Sequence, residues 1–322
     1  MPSDASPLAG ADLLSKHRLA LVAALIESLI DREKSSMDIR RIGVVGAGLM
    51  GAGIAQVAAQ HGFNVTLVDV DGGRVAQGLA GIKSRLDRLA ERRQLTGEEA
   101  DAILARISTY SDWETLDSVR DADVLIEAVG EDLEAKTQVF RRLGSVCKPG
   151  ALLSSNTSSL PLSELAAASG RPERVIGLHF FNPPWALKLV EVVTTASTSD
   201  ETLQDGLVLC EKLGRVTVRV KDTPGFIANR LLVPFIFDAI HVLDSGVASA
   251  EDIDTACKVG LNHMMGPIAT ADLIGLDTLQ IIAERMFEEY GEPRFKAPTM
   301  LRRLVGLGHL GRKTGRGFYS YE

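Results

Sequence analysis

Cysteine is scarce in this chain: Cys147, Cys210 and Cys257 are its only three thiols in 322 residues. They are odd in number, far apart, and in neither a CxxC pair nor a Cys/His metal spacing. That argues against a disulfide framework and against a zinc site, and the expected setting is reducing and cytoplasmic. A basic excess is lacking as well. Lys and Arg total 35 against 42 Asp and Glu, a formal net charge of -7, whereas nucleic-acid binders usually carry the opposite balance. No uncharged apolar run approaches the roughly 20 residues of a membrane span. Internal repeats, low-complexity tracts and a GxSxG nucleophile elbow are missing too. The expectation is therefore a small-molecule protein with no nucleic acid, membrane or metal partner. What is present is 45% apolar and 24% charged residues, ordinary for a globular chain. The length favours two domains and suffices for a large core.

Three regions follow from the patterning. Residues 1–37 form an N-terminal extension in which Leu14, Leu21, Val22, Leu25, Ile26 and Leu29 recur at helical spacing. Its two readings are an amphipathic appendage packed on the protein itself and a docking helix for a carrier or partner protein. Residues 38–221 alternate strands and helices. Strands are expected at Arg41–Val45, Phe63–Asp69, Ala122–Glu127, Ala151–Ser155, Val175–Phe180, Val190–Val193 and Val216–Val220. Between them, residues 74–106 read as long helices and Leu133–Leu143 as another. Strand, tight turn, helix and strand within about thirty residues make a βαβ unit and require a parallel sheet. The breaker-rich Lys221–Gly225 ends this region. Residues 222–322 are then all helical, with segments at Phe226–Asp244, Ala250–Val259, Leu273–Tyr290 and Thr299–Val305. The fold class is α/β, a Rossmann-type dinucleotide-binding domain followed by a smaller all-helical domain.

The glycine string explains the first of these names. Gly46, Ala47, Gly48, Leu49, Met50 and Gly51 form a GxGxxG that follows a strand and opens a helix. The first glycine permits the tight turn, the second lets backbone approach a pyrophosphate, and the third lets helix pack on sheet. Asp69 ends the next strand, where a carboxylate accepts from a ribose diol and repels a 2′-phosphate, so the expected cofactor is NAD. Further along, His179 lies near the carboxyl end of its strand, on the face of Val175 and Gly177. Glu191 shares a face with Leu187, Leu189 and Val193, and a carboxylate there requires a partner. Paired, the two would hold a tautomer ready for general base work. Unpaired, they are a core histidine and an edge glutamate. The hydroxyl-rich run Ser154–Ser159 follows a strand and reads either as a site loop or as the cap of the helix at 162–168. Arg85, Arg88 and Arg92 recur at i, i+3, i+7. They read as a solvated stripe balanced by Asp87 and Glu91, or as a clamp for a phosphate-bearing substrate.

Taken in order, Gly46–Gly51, Ser155–Leu160, Gly177–Pro184, Leu189–Val193, Asp222–Arg230, Met265–Pro267, Ala271–Asp277 and Gly311–Tyr319 resemble the L-3-hydroxyacyl-CoA dehydrogenase family, nearest its short-chain branch. The resemblance implies NAD-dependent oxidation of a short-chain L-3-hydroxyacyl-CoA, or the reverse reduction. It implies that His179 is the general base, that Glu191 orients it, and that Ser158 and Asn229 contact the substrate. Glu131, Lys136, Asn182 and Lys313 match positions that contact NAD, beside the glycine loop, Asp69 and Ser158. Lys136 and Lys313 have a second reading as solvated surface lysines. Arg92 would meet the CoA phosphates. The resemblance further implies a homodimer through the helical domain. It leaves as alternatives a dehydrogenase of a carrier-protein thioester or a free hydroxy acid, and a non-catalytic NAD-binding protein.

Overall fold

The computed structural model describes residues 37–111, 113–114 and 116–321. The helical repeat before residue 37 and its docking reading lie outside them. Strand β1 (Arg41–Val45) runs through the glycine turn into helix α1 (Leu49–Gln60) and back to β2 (Asn64–Val68). Helices α2 (Gly72–Glu91) and α3 (Gly97–Leu104) lead to β3 (Ile107–Tyr110). Then come β4 (Val124–Glu127), α4 (Leu133–Val146), β5 (Leu152–Ser155) and α5 (Leu162–Ala168). Strands β6 (Val175–Phe180) and β7 (Leu189–Thr194), helix α6 (Asp200–Lys212) and β8 (Val216–Lys221) complete this half.

The strands form one sheet in the order β3-β2-β1-β4-β5-β6-β7-β8. All neighbours are parallel except β6 and β7. Residues 181–188 between those two are too few for the crossover of about a dozen residues that a parallel return demands. The resulting antiparallel turn sets His179 directly opposite Glu191. Both faces of the sheet are covered, which is why its strands are nearly continuous in apolar residues. Val44, Leu67, Ile126, Leu178 and Val192 belong to the core under α1, α2 and α6. Val45, Leu125, Leu153, Val175 and Val193 belong to the other core, under α4 and α5. Period two therefore places His179 and Glu191 on this second face.

The region 74–106 holds two helices, and one expected helix further on is divided. The region 74–106 breaks after Glu91, where Arg93 takes a positive φ of 56°, and restarts at a capping box between Thr96 and Glu99. Just beyond it lies β3, a strand the sequence pattern did not announce: it is an edge strand in which only Ile107 is buried. In the helical half, α7 (Ala228–Asp244) and α8 (Ala250–Thr255) precede α9 (Pro267–Ile274), α10 (Leu276–Tyr290) and α11 (Thr299–Gly306). The expected helix Leu273–Tyr290 is thus split at Gly275, whose φ of 97° no helix accommodates. Ile236, Ile240, Leu279, Met286 and Leu301 form the core here. The chain end is fastened to it by Asp272, which accepts from the Phe318 and Tyr319 N–H groups and the Tyr321 hydroxyl.

All three cysteines are free and buried, and burial pushes the Cys147 thiol up to about 11 and Cys210 up to about 12. Among the described residues no helix is long and apolar enough to cross a membrane. None of them gathers three metal-ligating side chains.

Candidate active site

The crevice starts where the strand order reverses, between β1 and β4, the place where open α/β sheets take ligands. Gly46 has a φ of 108°, and a Cβ there would lie 2.5 Å from the Ala128 carbonyl oxygen. A Cβ on Gly51 would come within 1.8 Å of the Gly46 oxygen, so only glycine lets α1 dock on its own turn. Gly48 is different: nothing lies within 4 Å of where its Cβ would be. It is the N-cap of α1, no side chain caps it, and the first turn holds no acidic residue. The first-turn N–H groups and the positive helix end therefore face open space flanked by Ala47, exposed Leu49 and half-buried Met50, which fits the pyrophosphate of NAD. Asp69 is almost buried at the end of β2. One carboxylate oxygen accepts from the Ala47 N–H at 2.8 Å, the other from the Asp71 N–H at 3.3 Å. It therefore fixes the glycine loop.

Across the crevice, β4 ends in Glu127, fully buried against Lys136 of α4. Lys136 Nζ is 2.6 Å from Glu127 Oε1, which also accepts from the Val129 N–H at 2.7 Å; Glu127 Oε2 accepts from Ser155 Oγ at 2.6 Å. Lys136 is thus no solvated surface lysine but a buried cation, 3.4 Å from Glu131 Oε2 as well. Glu131 Oε1 gathers the serine loop. It accepts from Thr157 Oγ1 at 2.6 Å, from the Ser158 and Ser159 N–H groups at 2.9 and 3.1 Å, and from both serine hydroxyls at 3.3 Å. Burial would raise the Glu131 carboxyl, but Lys136, Thr157 and the Ser158 N–H outweigh it and hold it below the ordinary carboxylate value. The serine run does not cap α5. That helix starts at Pro161, and its Leu162 and Ser163 N–H groups are taken by Asp222 at 3.1 and 2.8 Å.

Asn156 joins this loop to the histidine strand, its Oδ1 accepting from the Phe180 N–H at 2.9 Å. On that strand His179 Nδ1 lies 2.7 Å from Glu191 Oε2, and both side chains are buried. The other oxygen, Oε1, accepts from the Ile227 and Ala228 N–H groups at 2.9 Å each, at the start of α7. Burial pushes the Glu191 carboxyl up. The hydrogen bonds from His179, Ala228 and Ile227 and the attraction of the ring push it down and win, so it stays ionised. The chain reaches this position through Gly225 and Phe226, with positive φ of 78° and 46°. A left-handed phenylalanine is a strained conformation, and here it turns two N–H groups toward one carboxylate. The Phe226 and Phe181 rings stand 5.6 and 4.7 Å from the imidazole.

The remaining candidates are placed less centrally. Asn229 is half-buried in the first turn of α7, next to Ala228, and Asn182 is exposed just after β6. Lys313 lies on an exposed loop of the helical half, 2.5 Å from Asp277 Oδ1. Arg92 is exposed where α2 ends. The arginine stripe is not one solvated face. Arg85 turns inward, bonding Gln56 Oε1 at 2.6 Å and stacking 4.1 Å over Trp185, while Asp87 pairs with Lys83 and not with an arginine. A preference for helix-face neighbours hid this, because Trp185 is a hundred residues away in sequence. Glu127, Asp222 and Arg285, whose guanidinium donates to Ser159 Oγ at 3.1 Å, also escaped the pattern. Of these only Glu127 left a trace, as a carboxylate ending an otherwise apolar strand in the manner of Asp69.

Residues 41–223 match the family described as 3-hydroxyacyl-CoA dehydrogenase, NAD binding domain. Residues 225–321 match 3-hydroxyacyl-CoA dehydrogenase, C-terminal domain. A probable 3-hydroxybutyryl-CoA dehydrogenase of Bacillus subtilis is 46% identical over 286 residues, which is 89% of this chain and 99% of that one. The crystal structure of M. tuberculosis FadB2 superposes with a TM-score of 0.85 at 43% identity, covering 88% of this chain and 99% of the other. That of (S)-3-hydroxybutyryl-CoA dehydrogenase PaaH1 from Ralstonia eutropha gives 0.83 at 41% identity, covering 88% and 100%.

Proposed function

The chain belongs to the 3-hydroxyacyl-CoA dehydrogenase family of NAD-dependent oxidoreductases, and from that premise we propose that it interconverts short-chain L-3-hydroxyacyl-CoA, such as 3-hydroxybutyryl-CoA, and the 3-oxoacyl-CoA. The observation that carries the reading is the buried His179–Glu191 pair, held at both carboxylate oxygens. NAD, when bound, supplies the hydride acceptor. With Nδ1–H donated to Glu191, the ring keeps Nε2 as its basic nitrogen, and this takes the proton of the 3-hydroxyl. The imidazolium that forms is stabilised by an anion already in place, so no reorganisation is required. Ser158 and Asn229 hydrogen-bond the reacting oxygen and the thioester side. Glu131, Asn182 and Lys313 line the cofactor side with the glycine loop and Asp69, and Lys136 acts there from beneath, through Glu131.

Arg92, with exposed Arg88 beside it, faces the CoA phosphates in this reading. The cleft lies between the 38–221 and 222–322 parts of the chain. Exposed Leu231, Val242, Val259, Leu261 and Met264 on the helical part support a homodimer formed there, and three buried free thiols suit a cytoplasmic setting.

The test is NADH absorbance on adding the protein to acetoacetyl-CoA, with free acetoacetate and NADPH in parallel. Rapid NADH loss with the thioester alone is expected. No loss, despite demonstrable NADH binding, would sink the short-chain CoA assignment and leave only the nucleotide site standing.

A further inference from the structure

Arg285 crosses between the two halves of the molecule at one point. It projects from α10 and is half-buried. One guanidinium nitrogen, NH1, donates to Ser159 Oγ at 3.1 Å, and the other, NH2, to the Glu131 carbonyl oxygen at 3.3 Å. Both acceptors belong to the junction that presents Ser158. Glu131 offers its carboxylate Oε1 to the Ser158 and Ser159 N–H groups, and Ser159 Oγ also reaches that oxygen at 3.3 Å. The guanidinium therefore grips the loop at the residue after Ser158 and grips the residue that anchors the loop. A planar fork can hold two acceptors in a fixed relation, which a single ammonium does less well. The Ser158 hydroxyl itself makes only a long contact to Glu131, 3.3 Å, and so can turn its proton to another oxygen.

We propose that Arg285 is a positioning residue that ties α10 to the serine loop and so sets the Ser158 hydroxyl for the reacting oxygen of the substrate. It makes the loop geometry depend on how the helical half sits against the sheet half. This rests on the role given to Ser158 in the proposed reaction.

The experiment compares full-length wild type with Arg285→Ala, Arg285→Lys, Ser158→Ala and the Arg285→Ala/Ser158→Ala double variant. Initial rates are read with NADH and acetoacetyl-CoA, NADH affinity by fluorescence, and hydrogen exchange over residues 155–161. Losing two charge-assisted hydrogen bonds to the loop is expected to lower kcat about tenfold in Arg285→Ala. NADH affinity should fall by clearly less than kcat, since Glu131 keeps its own bonds to the loop, and exchange at Ser158 and Ser159 should rise. Arg285→Lys keeps the charge and reaches one acceptor, so it should recover part of the lost rate. In the Ser158→Ala background, Arg285→Ala should cost less than about twofold more, because the two act as one unit. An equal loss in both backgrounds, or a lowered Tm with unchanged kcat, overturns the proposal. Were wild type inactive on acetoacetyl-CoA, the functional reading would fail by itself. Exchange over 155–161 then decides separately, a rise in Arg285→Ala supporting the tie and no change overturning it.

Discussion

His179 and Glu191 are cross-strand partners in the one antiparallel pair of the sheet, with Nδ1 and Oε2 2.7 Å apart. The sheet thus supplies the pairing register, and the α7 N-terminus supplies the second tie through the Ile227 and Ala228 N–H groups. Glu191→Gln keeps the shape and removes the anion. The amide can no longer stabilise the imidazolium, so kcat should fall about 10²-fold or more while NADH affinity is retained. Steady-state rates and NADH fluorescence check this. An unchanged kcat would remove the pair from the mechanism.

Lys136 and Glu127 are a buried ion pair with side chains 1% and 0% exposed. Lys136→Met leaves Glu127 as a buried carboxylate with only the Val129 N–H and Ser155 Oγ to hold it. Breaking such a pair from one side costs about 3–5 kcal/mol. Denaturant melts should show that loss. The double variant Lys136→Met/Glu127→Leu should recover part of it, since Glu127 is then no longer stranded, while Glu131 still lacks its cation.

Much of this was legible in the sequence, and most of the misses have a common cause. The glycine turn, Asp69 and the strand carrying His179 announced themselves through local chemistry: a spacing, a strand end, a period of two. Arg85 on Trp185, Asp222 on Leu162 and Ser163, and Lys136 under Glu127 did not, because each side chain is claimed by a partner on another element. Charge and helical period offered Arg85 a solvated face or a phosphate clamp, and a solvated surface was the alternative reading of Lys136; tertiary burial overrode the solvated reading of both. Strand β3 failed for a different reason. With Ile107 alone buried, it offers no alternation to read.

The acid side of the stability curve follows in part from Glu191 and Glu131, which like Asp123 and Asp277 are held below the ordinary carboxylate value in the folded protein. A lowered folded pKa contributes stability that is fully present above the unfolded value, about 4.3, and is lost as pH falls through the folded one. Thermal melts should be flat with respect to these groups near neutrality and fall below about pH 4.5. The Tm gap between wild type and Glu191→Gln should narrow over the same range. A gap that stays constant down to acid would mean that the charge of Glu191 is not what stabilises the fold.

Asp222 caps α5 from sixty residues away, accepting from Leu162 and Ser163 N–H groups at 3.1 and 2.8 Å. The helix has no side-chain cap of its own. Asp222→Ala should therefore cost about 1 kcal/mol, and Asp222→Asn somewhat less, because the single amide oxygen can still accept from one of the two N–H groups. Differential scanning calorimetry on the two variants distinguishes a cap from a general charge effect. Equal destabilisation by both would favour the charge.

Asp69 has two jobs, and they can be separated. Its Oδ2 secures the glycine loop through the Ala47 N–H, and in the proposed cofactor reading its negative charge would repel a 2′-phosphate. Asp69→Asn retains an acceptor for Ala47 while removing the charge. Like charges a few ångströms apart near a protein surface repel by about 1–4 kcal/mol. The preference for NADH over NADPH in kcat/KM should accordingly drop about tenfold or more. Asp69→Ala removes both functions, so it should also weaken NADH itself. If Asp69→Asn loses NADH binding as severely as Asp69→Ala does, then the charge of Asp69, and not its hold on the loop, is what the cofactor requires.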